Sequence, residues 1–143
     1  PVLVDSRFCL SLFPNFTSAT PNEDEVEQLI GKKLVDETSL NEAGAMLRKQ
    51  LGYEALLVTR GGRGMMLFEE GREPLQLEAV GASQPVDGTG AGDTVIATYA
   101  LAIASGATFA DAAQLANHAG GLVVMKRGTA SVNSDELLSS VRY

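Results

Sequence analysis

The spacing of apolar residues along the chain predicts an alternation of strands and helices. Short apolar runs bounded by turn residues predict strands at 2–5, 55–59, 65–68 and 73–80, the last with the alternation of an edge strand. Apolar residues at helical spacing predict helices that stop at Gly31 and Gly52, helices over 92–105 and 109–125, and a last helix capped by Asn133 or Ser134. This alternation is typical of a single α/β sandwich, over residues 1–143, with a mainly parallel sheet.

Composition and charge narrow the classes of partner. The chain has 143 residues, of which 45% are apolar and 20% charged, and its formal net charge is −7. A nucleic-acid backbone repels so acidic a chain, so we expect no nucleic-acid partner. No apolar stretch approaches the ~20 residues that span a bilayer, and we therefore expect no membrane partner.

The single cysteine indicates the cellular compartment, and the first residues indicate whether the chain is part of a longer protein. Cys9 has no second cysteine with which to form an internal disulfide, and its apolar setting predicts a small buried side chain. A lone thiol suits a reducing compartment, and we expect a cytoplasmic protein. The chain begins without Met and enters a predicted strand at Val2, which predicts that it is the latter part of a longer protein.

The segment PVDGTGAGDTVIATYALA, residues 85–102, places three glycines and an aspartate directly before an apolar helix. Gly88, Gly90 and Gly92 allow the backbone to approach a ligand closely, and the unpaired amides of a helix start attract an anion. Asp93 could then accept a proton from a hydroxyl group that attacks a bound phosphate, or it could simply cap the helix. The spacing fits neither a Walker loop nor the dinucleotide fingerprint.

Four segments, in order along the chain, resemble motifs of the ribokinase-like (PfkB) carbohydrate kinases. DGTGAGD is similar to the signature D-T-x-G-A-G-D, from which it departs at Gly88. TPNEDE resembles the family's N-x-x-E element, VTRGGRG its T-x-G loop, and LANHAGGLVVMKRGTASV the helix and loop that close over adenine. Within the family, DGTGAGDTVIA and KRGTASV are most similar to the heptose 7-phosphate kinase domain of bifunctional ADP-heptose synthases. The resemblance implies the C-terminal half of a three-layer ribokinase-like sandwich.

The resemblance also implies roles for residues near the phosphates. Asp93 would be the catalytic base, and the backbone amides of Gly90, Ala91 and Gly92 would form the anion hole for the γ-phosphate of ATP. Asn22 and Glu25 would lie near the phosphates, with Glu25 holding Mg²⁺ through water. A helix cap followed by a first-turn acid is the alternative reading of this pair.

Further residues would contact the nucleotide or a monovalent cation. The resemblance places Thr59 and Gly61 against the nucleotide phosphates and ribose, although a plain hairpin turn explains them equally well. Asn117 would lie beside adenine, and Gly128 belongs to the loop that closes the site. Three residues match the region where several family members bind K⁺: Asp87, Thr89 and Ser131. His118 is expected on a helix surface or partly buried, without a metal or triad role.

Charged residues after the first predicted strand and in the later VTRGGRG turn have more than one possible role. PVLVDSR is similar to a family strand that ends in D-P-K, so Asp5 and Arg7 are expected at the strand end that faces the cleft. A surface salt bridge between them is the alternative. Arg60 or Arg63 could reach a phosphate, but arginines exposed on a turn are more often only solvated.

The activity that the resemblance implies is ATP-dependent phosphorylation of a sugar or sugar phosphate. Heptose 7-phosphate, in ADP-heptose and lipopolysaccharide synthesis, is the expected substrate, and another sugar or a nucleoside is the alternative. A catalytically idle nucleotide-binding or interaction fragment is the alternative from a different class. The N-terminal half of the family, with its sugar contacts and lid, is absent from this sequence. We therefore expect low activity alone, and either a homodimer or association with that half.

Overall fold

The computed structural model describes residues 1–7, 9–81 and 85–142. Across these residues the chain forms five strands and five α-helices. The strands are β1 (Leu3–Val4), β2 (Ser18–Ala19), β3 (Ala55–Thr59), β4 (Met65–Glu69) and β5 (Leu75–Leu77). The helices are α1 (Glu23–Ile30), α2 (Glu37–Leu51), α3 (Ala91–Ala104), α4 (Phe109–Val123) and α5 (Ser134–Val141). No helix in these ranges is long and apolar enough to cross a membrane.

The five strands form one mixed sheet in the order β1-β2-β3-β4-β5. β1, β2 and β3 are parallel, with Leu3 opposite Ser18 and Ser18 opposite Ala55. β4 and β5 then fold back antiparallel as a meander from β3. The predicted parallel arrangement therefore applies to β1 to β3 only, because the glycine-rich turn after β3 reverses the chain at once. The carboxyl ends of the three parallel strands share one edge of the sheet, where ligands of α/β sheets commonly bind.

Helices cover both faces of the sheet and make it the middle of three layers. Successive residues of a strand point to opposite faces, so Leu56 and Val58 of β3 pack with α1 and α2, whereas Ala55 and Leu57 pack with α3 and α4. The side chains of β4 alternate between the two faces in the same way. Most of the buried apolar residues therefore form two clusters, one on each side of the sheet, and the expected three-layer arrangement is confirmed.

Local sequence signals set the helix ends. Asn22 and Asp36 accept hydrogen bonds from the amides three residues on, and so begin α1 and α2. Gly31 and Gly52 end these helices in the left-handed conformation, as predicted. Of the two residues proposed as the cap of α5, Asn133 is the one that caps.

Two features differ from the sequence-based expectations. β2 was not predicted, because it has only two residues and begins with Ser18, a polar residue that is fully buried. The Ser18 hydroxyl donates to the carbonyl of Ala55 at 2.8 Å, which explains how the fold accommodates it. Cys9 was predicted to be buried, and this was wrong. The residue is exposed because it precedes a short 3-10 turn, Leu10–Leu12, whose first residue Leu10 occupies the core instead.

Candidate functional site

The glycine-rich segment forms an open helix start at the carboxyl edge of the sheet. Gly90 precedes α3 with a φ of 78°, a left-handed conformation that favours glycine, and no side chain caps this helix. The amide of Ala91 donates to the carbonyl of Gly88 at 3.2 Å. The amides of Gly90 and Gly92 have no acceptor among the described residues. Two of the three predicted anion-hole amides are thus available to a ligand, and that of Ala91 is engaged in the turn.

Asp93 lies in the first turn of α3 and is exposed at this helix start. The negative charge of Asp93 acts on the carboxyl of Asp5, the residue that follows β1. Burial, reinforced by the negative charge of Asp93, raises the pKa of the Asp5 carboxyl, and the Arg7 guanidinium partly offsets this. The structure therefore brings the predicted base together with the strand-end aspartate, 88 positions earlier by residue number.

Asn22 and Glu25 form a capping box at the start of α1. The Glu25 amide donates to Asn22 Oδ1 at 2.8 Å, and the Asn22 amide donates to Glu25 Oε2 at 2.9 Å. Burial raises the pKa of Glu25 despite the Asn22 amide, and the charge of Asp5 adds to the rise. The helix-cap alternative is thus realised, while the predicted contact with Mg²⁺ through water stays a prediction.

The donor chemistry at this edge suits Mg²⁺, although the described residues form no preformed metal cage. Asp5 and Glu25 supply carboxylate oxygens and Asn22 an amide oxygen, the ligand types that Mg²⁺ takes while it keeps several waters. Burial raises the pKa of both Asp5 and Glu25, and the charge of Asp93 on Asp5 and of Asp5 on Glu25 adds to the rise. Among the described residues, no group of three acidic, His or Cys side chains is placed to hold a metal by itself. These residues therefore fit a hydrated ion that a ligand's phosphates help to bind.

The T-x-G segment ends β3 and lies against the start of α1. The Thr59 amide donates to the carbonyl of Pro21 at 2.9 Å, and Thr59 also forms a parallel bridge with Asn22. Gly61 has a φ of 55° and opens a one-turn 3-10 helix, Gly61–Arg63, that leads into β4. The hairpin alternative is thus correct as a description of the turn. The nucleotide contacts of Thr59 and Gly61 stay predictions.

Arg60 is the residue of this turn whose placement the sequence does not reveal. Its side chain is only 6% exposed, and its Nε donates to Glu23 Oε1 at 3.0 Å. Arg63, which is largely exposed, pairs with the other oxygen of Glu23. The expectation of arginines that are only solvated is met by neither residue, because Arg63 is exposed but paired to Glu23, and Arg60 is buried against Glu23. An arginine in a glycine-rich turn gives no sequence signal for such burial.

Asp87 joins the glycine-rich segment to the loop after α4. Its Oδ1 accepts the Thr89 amide and its Oδ2 the Gly128 amide, both at 2.9 Å. Hydrogen bonds with Thr89, followed by that from Gly128, lower the pKa of Asp87 below its usual value of 3.8. The two loops are further tied by the amides of Val86 and Asp87, which donate to the Val124 carbonyl. Hydrogen bonds from residues 86–89 to Val124 and Gly128 therefore join the open start of α3 to the end of α4 and the loop after it.

The residues predicted to bind K⁺ already have partners of their own. Both oxygens of Asp87 accept backbone amides, and the Thr89 amide is one of these donors. The Ser131 carbonyl accepts the Lys126 ammonium at 2.7 Å, and Lys126 also pairs with Glu136 of α5. A side-chain cation thus occupies one predicted ligand, so this oxygen set is a poor fit for K⁺ as it stands. K⁺ binding stays a prediction.

Asn117 and His118 lie on α4 in contacts between elements. Asn117 is 6% exposed, and its Nδ2 donates to the Glu78 carbonyl just after β5 at 2.6 Å. Its predicted place beside adenine is untested, and the contact seen is a structural one. The ring of His118 is half-buried, and its Nδ1 lies 2.7 Å from Ser140 Oγ of α5. His118 thus joins two helices, in line with the partly buried role expected of it.

Comparison with known sequences identifies relatives over nearly the whole chain. Residues 5–136 match the family described as pfkB family carbohydrate kinase. The Bifunctional protein HldE of Nitrosococcus oceani is 47% identical over 138 residues, which are 96% of this chain and 29% of that protein. The protein of the same name from Psychromonas ingrahamii is 48% identical over 98% of this chain and 29% of its own length. The chain thus spans less than a third of these relatives.

Solved structures share the fold. Arabidopsis thaliana ribokinase complexed with ribose and ATP superimposes with a TM-score of 0.89 and 29% identity, over 100% of this chain and 48% of the ribokinase. Phosphofructokinase-2 from Escherichia coli in complex with potassium gives a TM-score of 0.88 at 20% identity, over 96% of this chain and 45% of its own. The second shows a common fold alone. Together with the match over residues 5–136, these findings show that the chain belongs to the pfkB family of carbohydrate kinases.

Proposed function

We propose that this chain carries the nucleotide-binding half-site and the catalytic base of an ATP-dependent heptose 7-phosphate kinase. The observation that carries the proposal is the uncapped, glycine-led start of α3, with Asp93 in its first turn. The helix start offers free amides for a phosphate, and Asp93 offers a carboxylate for a proton. Family membership supports the kinase class, and the similarity of DGTGAGDTVIA and KRGTASV to heptose 7-phosphate kinases supports the substrate.

The proposed reaction uses this arrangement as follows. The hydroxyl oxygen of the sugar attacks the γ-phosphorus of ATP, its proton passes to Asp93, and the bond to the β-phosphate oxygen breaks to release ADP. The amides of Gly90 and Gly92 stabilise the charge on the transferred phosphoryl group. Asn22, Glu25 and Asp5 would hold a hydrated Mg²⁺, which when bound would neutralise charge on the phosphates.

The sugar contacts would come from residues outside this segment. The relatives are more than three times as long as the aligned segment, and the fold neighbours about twice as long. We therefore propose that the chain acts together with an N-terminal sugar-binding and lid half, with a homodimer as the alternative assembly. The corresponding place in the cell is the cytoplasm, where ADP-heptose for lipopolysaccharide would be made.

Calorimetric titration of the chain tests the nucleotide half-site directly. ADP and a non-hydrolysable ATP analogue are added with and without Mg²⁺, in K⁺ and in Na⁺. We expect saturable binding that Mg²⁺ strengthens. Failure to bind by a chain whose circular dichroism shows it to be folded would contradict the proposal and favour the interaction fragment.

Turnover then separates a kinase from an idle nucleotide-binding fragment. ADP release is measured with heptose 7-phosphate, with ribose and with fructose 6-phosphate, both for the chain alone and after addition of the N-terminal half of a relative. Release that depends on heptose 7-phosphate supports the proposed substrate. Binding of nucleotide without turnover under any condition supports the idle alternative.

A further inference from the structure

The first turn of α1 presents its acidic residues in two directions. Glu25 takes part in the capping box, and its carboxylate is close enough to Asp5 for the charge of Asp5 to raise its pKa, after the larger effect of burial. Glu23 turns instead toward the loop after β3, where it accepts Arg60 Nε at 3.0 Å and also pairs with Arg63. The same helix turn therefore contacts both the candidate metal-binding edge and the T-x-G turn.

Arg60 makes the buried part of this contact. At 6% exposure its guanidinium has lost most of its water, and Glu23 is only 18% exposed. Its Nη1 has no hydrogen-bond partner in the described part of the chain, and Glu37 Oε2 lies 4.0 Å away. Removal of one partner from a buried ion pair leaves the other charge uncompensated. Loss of Glu23 would leave the Arg60 guanidinium in this state, because its other acidic neighbour, Glu37, is 4.0 Å away. Glu23 without Arg60 would still be paired to Arg63.

Backbone contacts connect this ion pair to Asn22 and Glu25. Pro21 accepts the Thr59 amide, and Asn22 bridges Thr59, the residue before Arg60. The Arg60 amide donates to the Gly64 carbonyl at 2.8 Å, which fixes the turn itself. The ion pair is therefore the side-chain half of a clamp, made of Arg60 and Glu23, that joins the T-x-G turn to the start of α1.

We infer that Arg60 is a positioning residue, which acts through Glu23 to hold Asn22 and Glu25 in place for Mg²⁺-nucleotide. This inference rests on the proposed function for its ligand, whereas the clamp itself does not. Arg60 does not need to touch the nucleotide, since its Nε is already bound to Glu23. Direct contact between Arg60 and a phosphate is the competing explanation, and it makes a different prediction for Glu23.

The first test measures the clamp without any nucleotide. Hydrogen exchange of the Glu25 amide, which is bonded to Asn22, is compared in Arg60→Ala, Arg60→Lys and the control Arg72→Ala. Arg72 is also ion-paired but is 66% exposed and lies beyond β4, so this control should match the wild type. We expect exchange at Glu25 to be about tenfold faster in Arg60→Ala than in the control. Equal exchange in the two variants would overturn the inference.

The second test distinguishes positioning from phosphate contact. Affinity for ADP is measured with and without Mg²⁺ in Arg60→Ala, Glu23→Gln and the double variant. If Arg60 acts by positioning, the affinity of each single variant for ADP should fall about tenfold in the presence of Mg²⁺ and by less in its absence. The double variant should bind ADP no more weakly than either single variant. Direct phosphate contact predicts that Glu23→Gln binds as well as the wild type or better.

Outcomes for the proposed function and for this inference can be told apart. If the wild type binds no nucleotide, the proposed function fails, and the exchange of Glu25 still decides whether the clamp exists. If the wild type binds and Arg60→Ala binds equally well, the inference alone fails. Arg60→Lys keeps the charge without the planar guanidinium, so it provides a folded variant if the alanine replacement unfolds.

Discussion

Two helix starts lie at the candidate site, and they differ in how their amides are satisfied. α1 begins at a complete capping box, with Asn22 and Glu25 bonded to each other's backbone amides, and Glu23 paired to a buried arginine. α3 begins after Gly90, which has no side chain, and the amides of Gly90 and Gly92 have no acceptor among the described residues. The other three described helices begin at capping side chains, as α1 does.

The two helix starts differ in what remains available to a ligand. A capped start uses its own side chains to satisfy the amides and gains about 1 kcal/mol. An uncapped start keeps its amides and its partial positive charge for an anion. In the proposed function, α1 would supply fixed carboxylates, whereas α3 would supply the phosphate-binding amides and the base.

The largest expected effect is that of Asp93→Asn on turnover at the open start. The amide cannot accept the proton of the sugar hydroxyl, so we expect kcat to fall by about 10³-fold. Nucleotide affinity should stay within about threefold, because the amides of Gly90 and Gly92 are unchanged. ADP release and calorimetry measure the two quantities. An unchanged rate would remove Asp93 from the mechanism.

A second change would place a capping side chain at the uncapped start of α3. Gly90→Asp places a carboxylate against the free amides, where it competes with a phosphate and repels it. We expect affinity for ADP to fall by about tenfold or more, which corresponds to ~1.4 kcal/mol. Gly90→Asn is the matched control, since it has the same shape and tolerates positive φ but carries no charge. Equal affinities in the two variants would show that charge at this position is unimportant.

A third change would remove the cap from the start of α1. Asn22→Ala removes the acceptor for the Glu25 amide, and we expect the free energy of unfolding to fall by about 1 kcal/mol. Asn22→Ser keeps a capping oxygen and should retain most of that stability. Urea denaturation followed by circular dichroism measures both variants. Wild-type stability in Asn22→Ala would mean that α1 does not need its cap.

The smallest expected effect comes from pH, through the carboxylates beside α1. Burial and the charge of Asp5 raise the pKa of Glu25 above its usual 4.5, so Glu25 takes up a proton at a higher pH than an exposed glutamate does. We expect Mg²⁺-dependent affinity for ADP to fall as the pH drops into this window above 4.5. Calorimetry from neutral pH downward should show the loss while ordinary glutamates are still charged.

The same shift in pKa has the opposite sign for folding. Because the fold disfavours the charged form of Glu25, the destabilisation is present at neutral pH and is relieved as the pH falls through the raised pKa. Glu25→Gln keeps the capping box without the charge, so it should be at least as stable as the wild type at neutral pH. Its advantage should shrink on acidification. A less stable Glu25→Gln at neutral pH would contradict this account.

Much of the fold was predictable because local signals and tertiary structure agree. The apolar run 55–59 is β3 without a change of boundary, and Gly31 and Gly52 end helices because their positive φ suits glycine. β2 escaped prediction because two residues carry no periodicity and its Ser18 is buried through a distant carbonyl. The antiparallel return of β4 and β5 also depends on turn geometry that the alternation of elements does not reveal.

The site was less predictable, because its chemistry depends on residues far apart in sequence. Sequence motifs identified Asp93, Asn22 and Glu25, and the structure places all three at the carboxyl edge of the sheet. The engagement of the Ala91 amide, the pairing of Ser131 with Lys126 and the burial of Arg60 all arise from tertiary contacts. The sequence does not show whether an arginine side chain or a backbone amide is hydrogen-bonded within the fold or available to a ligand.

The register of the sheet has a consequence for the order of folding. β3, β4 and β5 pair with their neighbours along the chain, whereas β2 must meet β3 across 37 residues, from Ser18 to Ala55. Closure of longer loops costs more entropy, so we expect the meander to form before the parallel strands dock. The start of α1 directly follows β2 and therefore reaches its place late. Nucleotide binding would then report completed folding rather than collapse, which makes it a sensitive assay for misfolded chains.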